Sequence, residues 1–192
     1  MMNRLKNRRT LSSLVVLAIV FLIAVFLSPV ISSNLWDHVD KSDSQYEAAK
    51  VERVVDGDTI VVNCGGVEKK VRLIGIDCPE SVHSDESKNA QEGRTASAYT
   101  KNLLSEGRTV WLEKDVSDTD KFDRLLRYVW LDDPAVISTD EDLESTMLNA
   151  KLVYEGYAQA KEYKPDTKYA NIFNELEKDA ISNNRGVSYL WK

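Results

Sequence analysis

VRLIGIDCPE, from Val71 to Glu80, begins as a buried strand and ends in a polar site. Apolar residues carry it from Val71 through Ile76, with Arg72 near the start and two carboxylates, Asp77 and Glu80, bracketing Pro79. Proline has no N–H to give a sheet ladder and pushes the residue before it into extended geometry, so the strand ends there. Taken alone, Asp, Pro and Glu would be an acidic turn closing a strand.

Upstream, VERVV (Val51–Val55) predicts a short strand, DGDT (Asp56–Thr59) a turn in which Gly57 is free to take positive φ, and IVVNC (Ile60–Cys64) a second strand. Gly65-Gly66 signals a two-residue hairpin, after which VEKKVRLIGI (Val67–Ile76) returns antiparallel. Pairing Cys64 with Val67 sets Asp58 opposite Leu73 and brings the DGDT turn toward the Asp77–Glu80 end. Strict alternation places Arg72 on the face opposite Asp77. For both to serve one site the strand must bend or bulge, and Gly75 is where that irregularity is expected. Cys64 lies at the hairpin tip and Cys78 beyond its opposite end. The extended path from Val67 to Cys78 is on the order of 35 Å. A disulfide needs Cα atoms within about 7 Å, so none is expected.

Downstream, Ser81–Arg94 reads as a long polar loop holding His83, Thr95–Leu104 as a helix ended by Gly107, and Thr109–Val116 as a strand. Ser117–Arg124 is a charged turn and Leu125–Leu131 the next strand. Asp132–Glu144 is an acidic, solvated loop. Ser145 is placed as the cap of a helix ending at Gly156, Tyr157–Pro165 is a short strand and loop, and Thr167 opens a last helix with Tyr169, Phe173, Leu176 and Ala180 along one face. Five short strands in a hairpin-rich order, with helices inserted, predict a small β-barrel of the OB type, an α+β fold.

The chain has 192 residues and a formal net charge of −6, unevenly spread. Arg4, Lys6, Arg8 and Arg9 stand in the first ten residues, which contain no acid; without them, 21 basic residues face 31 acidic ones. An acidic body argues against binding nucleic acid by bulk electrostatics, though not against a cleft charged by a bound cation. The basic head, residues 1–10, precedes an apolar segment, residues 11–31, with an uncharged centre from Leu14 to Leu27. It meets the roughly 20 residues that span a bilayer, and with Pro29, Ser32 and Ser33 behind it also fits a secretory signal peptide. The expectation is a membrane anchor or a cleaved signal, with the head in the cytoplasm and the domain outside. Residues 32–49 read as a polar tether and residues 50–192 as the folded domain.

Four features stand together: Asp58 in DGDT, Arg72 on the strand, Asp77 and Glu80 after it, and Arg124 in DKFDR. Carboxylates suit hard cations such as Ca²⁺, and the planar arginine fork suits phosphate. Two arginines with three carboxylates describe a metal-assisted phosphodiester site. In order and spacing the chain resembles the staphylococcal nuclease (thermonuclease) family, through VVDGDTI, VRLIGIDCPE, ASAYT, DKFDRLLRYVW and EGYA with the later YKP, from about Val51 to Trp191.

That resemblance implies an OB-fold barrel with three helices and Ca²⁺-dependent cleavage of DNA and RNA, leaving 3′-phosphate ends. It implies Asp58, Asp77 and the Cys78 main-chain carbonyl as Ca²⁺ ligands, and Glu80 as the residue that positions or deprotonates the attacking water. Arg72 and Arg124 would hold the phosphate, with Lys121 and Tyr163 contacting the nucleotide. The expected partners are the nucleic-acid substrates and, through the N-terminal segment, the membrane; the expected state is a monomer. Departures from the family are Cys78 where threonine is frequent, Phe122 and Lys161 where tyrosines stand, and the long acidic loop. The competing classes are a non-catalytic nucleic-acid- or protein-binding barrel tethered to the membrane, and a structural domain that binds Ca²⁺ for stability. Arg72, Glu80 and Arg124 weigh against the first.

Overall fold

The computed structural model describes residues 45–80, 91–137 and 143–191. The basic head, the apolar segment, most of the tether, His83 and residues 138–142 of the acidic loop lie outside them. Among the described residues no helix is long and apolar enough to cross a membrane.

Five strands close a barrel in the order β1 (Tyr46–Asp56), β2 (Thr59–Cys64), β3 (Val67–Leu73), β6 (Leu125–Trp130), β5 (Thr109–Glu113). All neighbours are antiparallel except β3 and β6, which run parallel. This is the expected OB-type barrel. The β2–β3 register pairs Cys64 with Val67 across Gly65-Gly66, and the Leu73 amide donates to the Asp58 carbonyl at 3.0 Å. Cys64 and Cys78 are both free thiols.

β1 starts five residues earlier than the sequence suggests. Tyr46 to Lys50 pair with β5, while Lys50 to Asp56 pair with β2, so one long strand serves two neighbours and closes the barrel. The early half, YEAAK, buries only Ala49 and so lacks the alternation that would reveal a strand. Its end is fixed by Glu113, fully buried on β5. Glu113 accepts from Gln45 Nε2 at 2.8 Å, Trp130 Nε1 at 2.8 Å and the Tyr169 hydroxyl at 3.1 Å, and it pairs with the Lys168 ammonium. A buried carboxylate without such donors would be strongly destabilising.

α1 (Gln91–Leu103) begins four residues before the expected Thr95. Gln91 to Arg94 look like loop because they are polar and contain Gly93. That glycine is required: a Cβ there would stand 2.1 Å from the Glu80 carbonyl oxygen. The helix expected from Ser145 is two pieces, α2 (Leu143–Thr146) and α3 (Leu148–Tyr154). Between them Met147 is extended (φ −111°, ψ 126°) and bridges to Trp130, prolonging the sheet, and no side chain caps α3. β4 (Ile76–Asp77) pairs with β7 (Gln159–Ala160) as a separate two-stranded ribbon. α4 (Ala170–Ser182) buries Phe173, which joins the core, and Ala180, and a 3₁₀ turn, Ser188–Trp191, follows.

Candidate active site

The strand bearing Arg72 stops at Leu73, and Gly75 takes φ +77° before β4 resumes. Only glycine holds that backbone readily. A Cβ there would also stand 2.8 Å from the Phe173 ring. The turn is tied on both sides: the Ile74 amide donates to Arg127 O at 3.0 Å, and Asn149 Nδ2 donates to Ile74 O at 2.9 Å. It breaks the alternation and swings Asp77 round to Arg72.

The Arg72 guanidinium then meets four acceptors. Nη1 donates to the carbonyls of Leu73 at 2.7 Å and Ile76 at 2.9 Å; Nη2 lies 3.1 Å from Asp58 Oδ2 and 3.0 Å from Asp77 Oδ1. One nitrogen therefore gathers the two carboxylates. Asp58 is 8% exposed. Its oxygens also accept from the Cys78 amide at 3.0 Å and the Thr59 hydroxyl at 3.0 Å. Burial pushes the Asp58 carboxyl above the ordinary aspartate value, against the pull of Arg72 and those two donors.

Cys78 contributes packing and an amide. Its thiol is buried, and burial holds its pKa far above the ordinary cysteine value, so no thiolate forms there. Gly57 is needed for this contact and not for positive φ: a Cβ would stand 2.8 Å from the Cys78 Sγ. Thr100, from α1, donates to Gly57 O at 2.9 Å and anchors the DGDT turn.

Arg124 arrives from the loop before β6. Asp120 holds it, accepting from Nε at 2.7 Å and from the Arg124 amide at 3.0 Å. Asp120 also accepts from the Phe122 amide at 2.9 Å. Phe122 projects into solvent, with Lys121 Nζ 5.0 Å and Arg124 Cζ 5.4 Å from its ring centre. The loop's other end is clamped by the buried Arg127, whose Nη1 donates to Asp118 O at 3.0 Å and whose Nη2 donates to Asp118 Oδ1 at 2.7 Å.

Asp58, Arg72, Asp77, Glu80, Lys121, Arg124 and Tyr163 line one cleft of about 830 Å³. Cys78 sits behind it, not in its lining. The sequence did not single out Lys70, Asp120 or Lys164, which also line it. Lys70 belongs to an EKK run that reads as a solvated face, and Asp120 to a run of alternating charge. The cleft's described lining holds five basic side chains and six carboxylates, a formal −1. Outside that lining, Lys161 Nζ reaches Asp77 Oδ2 at 2.5 Å, a hydrogen bond that raises the lysine's pKa.

Residues 70–192 match the family model for staphylococcal nuclease homologues. The chain belongs to that family. It is 40% identical over 139 residues to the thermonuclease of Staphylococcus intermedius, covering 72% of this chain and 74% of the relative. It is 35% identical over 167 residues to the thermonuclease of Staphylococcus hyicus, covering 87% and 89%. A third relative, the SPbeta prophage-derived endonuclease YokF of Bacillus subtilis, is 35% identical over 133 residues, 69% of this chain and 40% of that protein.

Proposed function

We propose that this staphylococcal nuclease homologue is an exported, Ca²⁺-dependent nuclease that hydrolyses phosphodiester bonds of DNA and RNA and leaves 3′-phosphate ends. The nuclease class follows from family membership and from relatives named thermonuclease and endonuclease. The observation that carries the mechanism is the single cleft shared by Asp58, Arg72, Asp77, Glu80 and Arg124.

The donor chemistry suits a hard dication. Asp58 and Asp77 offer carboxylate oxygens gathered at one Arg72 nitrogen. Among the described residues no three His, Cys, Asp or Glu side chains form a metal cluster, so main-chain oxygen, with the Cys78 carbonyl as the candidate, and water would complete the shell. Bound Ca²⁺ would polarise the phosphate and organise a water, and would turn the cleft's formal −1 to +1.

The chain's own residues do the rest. Arg124, and Arg72 through the Nε that its four acceptors leave, bind the phosphate oxygens and hold the charge that builds on them. Asp120 keeps Arg124 aimed. Glu80, at the exposed lip, orients the attacking water or takes its proton. The water oxygen bonds to phosphorus as its proton passes to Glu80, the P–O5′ bond breaks, and O5′ takes a proton from solvent water to leave as a hydroxyl. Lys121 and Tyr163 contact the flanking nucleotide.

End-group analysis tests the chemistry. Products made with Ca²⁺ should accept 5′ label from polynucleotide kinase without phosphatase treatment; 5′-phosphate ends would contradict the reading. The basic head and apolar run of residues 1–31 support the export reading, on an anchor or after signal cleavage. Protease added to intact cells should remove an anchored domain, or the domain should be found in the medium; retention in a protected form would contradict export.

A further inference from the structure

Asp77 has both oxygens engaged by protein cations. Oδ1 takes Arg72 at 3.0 Å and Oδ2 takes Lys161 at 2.5 Å. Arg72 is committed elsewhere, to two carbonyls and to Asp58, and cannot leave without freeing the Gly75 turn. The Lys161 ammonium holds no part of that turn; beside Asp77 it bonds the Tyr163 side chain, and the lysine side chain is 48% exposed.

The lysine is delivered to this place by the backbone. Ala160 and Gln159 pair with Ile76 and Asp77 across the small ribbon, and the Lys161 amide donates to the Gly75 carbonyl at 2.9 Å. Its ammonium also lies 5.5 Å from the centre of the Tyr163 ring, a residue of the cleft lining. The aromatic face gives the ammonium a partner that does not depend on Asp77.

Resting on the reading of Asp77 as a Ca²⁺ ligand, we infer that Lys161 is a tethered counter-ion that occupies Asp77 in the metal-free protein and must yield it when the dication binds. The ammonium and the metal need the same carboxylate. Lys161 therefore stabilises the empty site and weakens Ca²⁺ affinity, and on metal loading gives up Asp77 while keeping the Tyr163 side chain it already touches. It sets the Ca²⁺ concentration at which the site fills.

The test is calorimetric titration of Ca²⁺ into the full-length protein and its Lys161→Met, Lys161→Arg and Asp58→Asn variants, with melting curves in chelator and in saturating Ca²⁺. Lys161→Met should bind Ca²⁺ about tenfold more tightly, the scale on which one adjacent unit charge shifts ion binding. It should melt lower than wild type in chelator and gain more from Ca²⁺. Lys161→Arg, which keeps the charge, should stay within about threefold of wild type, well inside that tenfold scale. Lys161→Met binding equally or more weakly, while Asp58→Asn loses binding, overturns the counter-ion role and leaves the metal reading standing. Binding that survives Asp58→Asn unchanged, or no binding to wild type, overturns both.

Discussion

Arg72 and Asp77, five positions apart and on opposite faces by strand alternation, meet at 3.0 Å because Gly75 turns the chain at φ +77° between them. The same Arg72 nitrogen reaches Asp58 at 3.1 Å. The glycine turn thus builds the site, and the guanidinium holds the turn through the carbonyls of Leu73 and Ile76.

Gly75→Ala should therefore damage both stability and site. The methyl would need positive φ and would press within 2.8 Å of the Phe173 ring. A loss of at least about 2 kcal/mol is expected in urea unfolding. A variant as stable as wild type would mean that the turn relaxes freely.

Arg72→Lys keeps the charge but replaces a fork serving four acceptors with one ammonium. Turnover should fall a hundredfold or more, the scale of a lost transition-state donor. The melting temperature should also drop, because the Leu73 and Ile76 carbonyls lose their partner. Activity within a few-fold of wild type would remove Arg72 from the chemistry.

Much of this was legible in the sequence. The hairpin register follows from Gly65-Gly66, and the bend at Gly75 follows from the conflict between alternation and a shared site. What was hidden has physical reasons. YEAAK is a strand through its pairing with β5, which no apolar alternation signals. Met147 leaves its helix for a tertiary bridge to Trp130 that local propensity does not encode. Asp120 acts on Arg124 four positions on, through a turn geometry that an alternating charge run does not reveal, and Lys161 acts on Asp77, a residue 84 positions away that the fold brings to it.

Gly93 places Glu80, since α1 can approach the Glu80 backbone only where a Cβ is absent. Gly93→Ala should shift Glu80 and lower kcat more than about tenfold, as small misplacements in a reacting site do. A calorimetric Ca²⁺ titration should change little, because Asp58 and Asp77 are held by Arg72. Unchanged kcat would detach Glu80's position from α1.

Asp120 gives an acid signature. Burial raises its pKa, but hydrogen bonds from Arg124 and Phe122 outweigh that and leave it below the ordinary 3.8. A depressed folded value contributes stability that is present above the unfolded value and lost as pH falls through the folded one. Asp120→Asn should flatten the wild-type fall in melting temperature below pH 3.8 and lower turnover at neutral pH. An unchanged acid limb would mean that the pair with Arg124 contributes nothing to folding.

Asp77 and its neighbour Cys78 separate side-chain from main-chain roles. Cys78 offers its amide to Asp58 and keeps a buried thiol, so Cys78→Thr should leave the Ca²⁺ dependence of hydrolysis nearly unchanged. Asp77→Asn should require much more Ca²⁺. The reverse pattern would mean that the metal ligands are misassigned.

The proposed function is metal-assisted hydrolysis of phosphodiesters by this cleft and the side chains named. Its most direct test is hydrolysis of end-labelled single-stranded DNA by the full-length protein, in Ca²⁺ and in excess chelator, beside Glu80→Gln and Arg124→Lys. Cleavage is expected with Ca²⁺ and none with chelator, with losses of about a hundredfold or more in both variants. Equal cleavage in chelator, or variants as active as wild type, would contradict it.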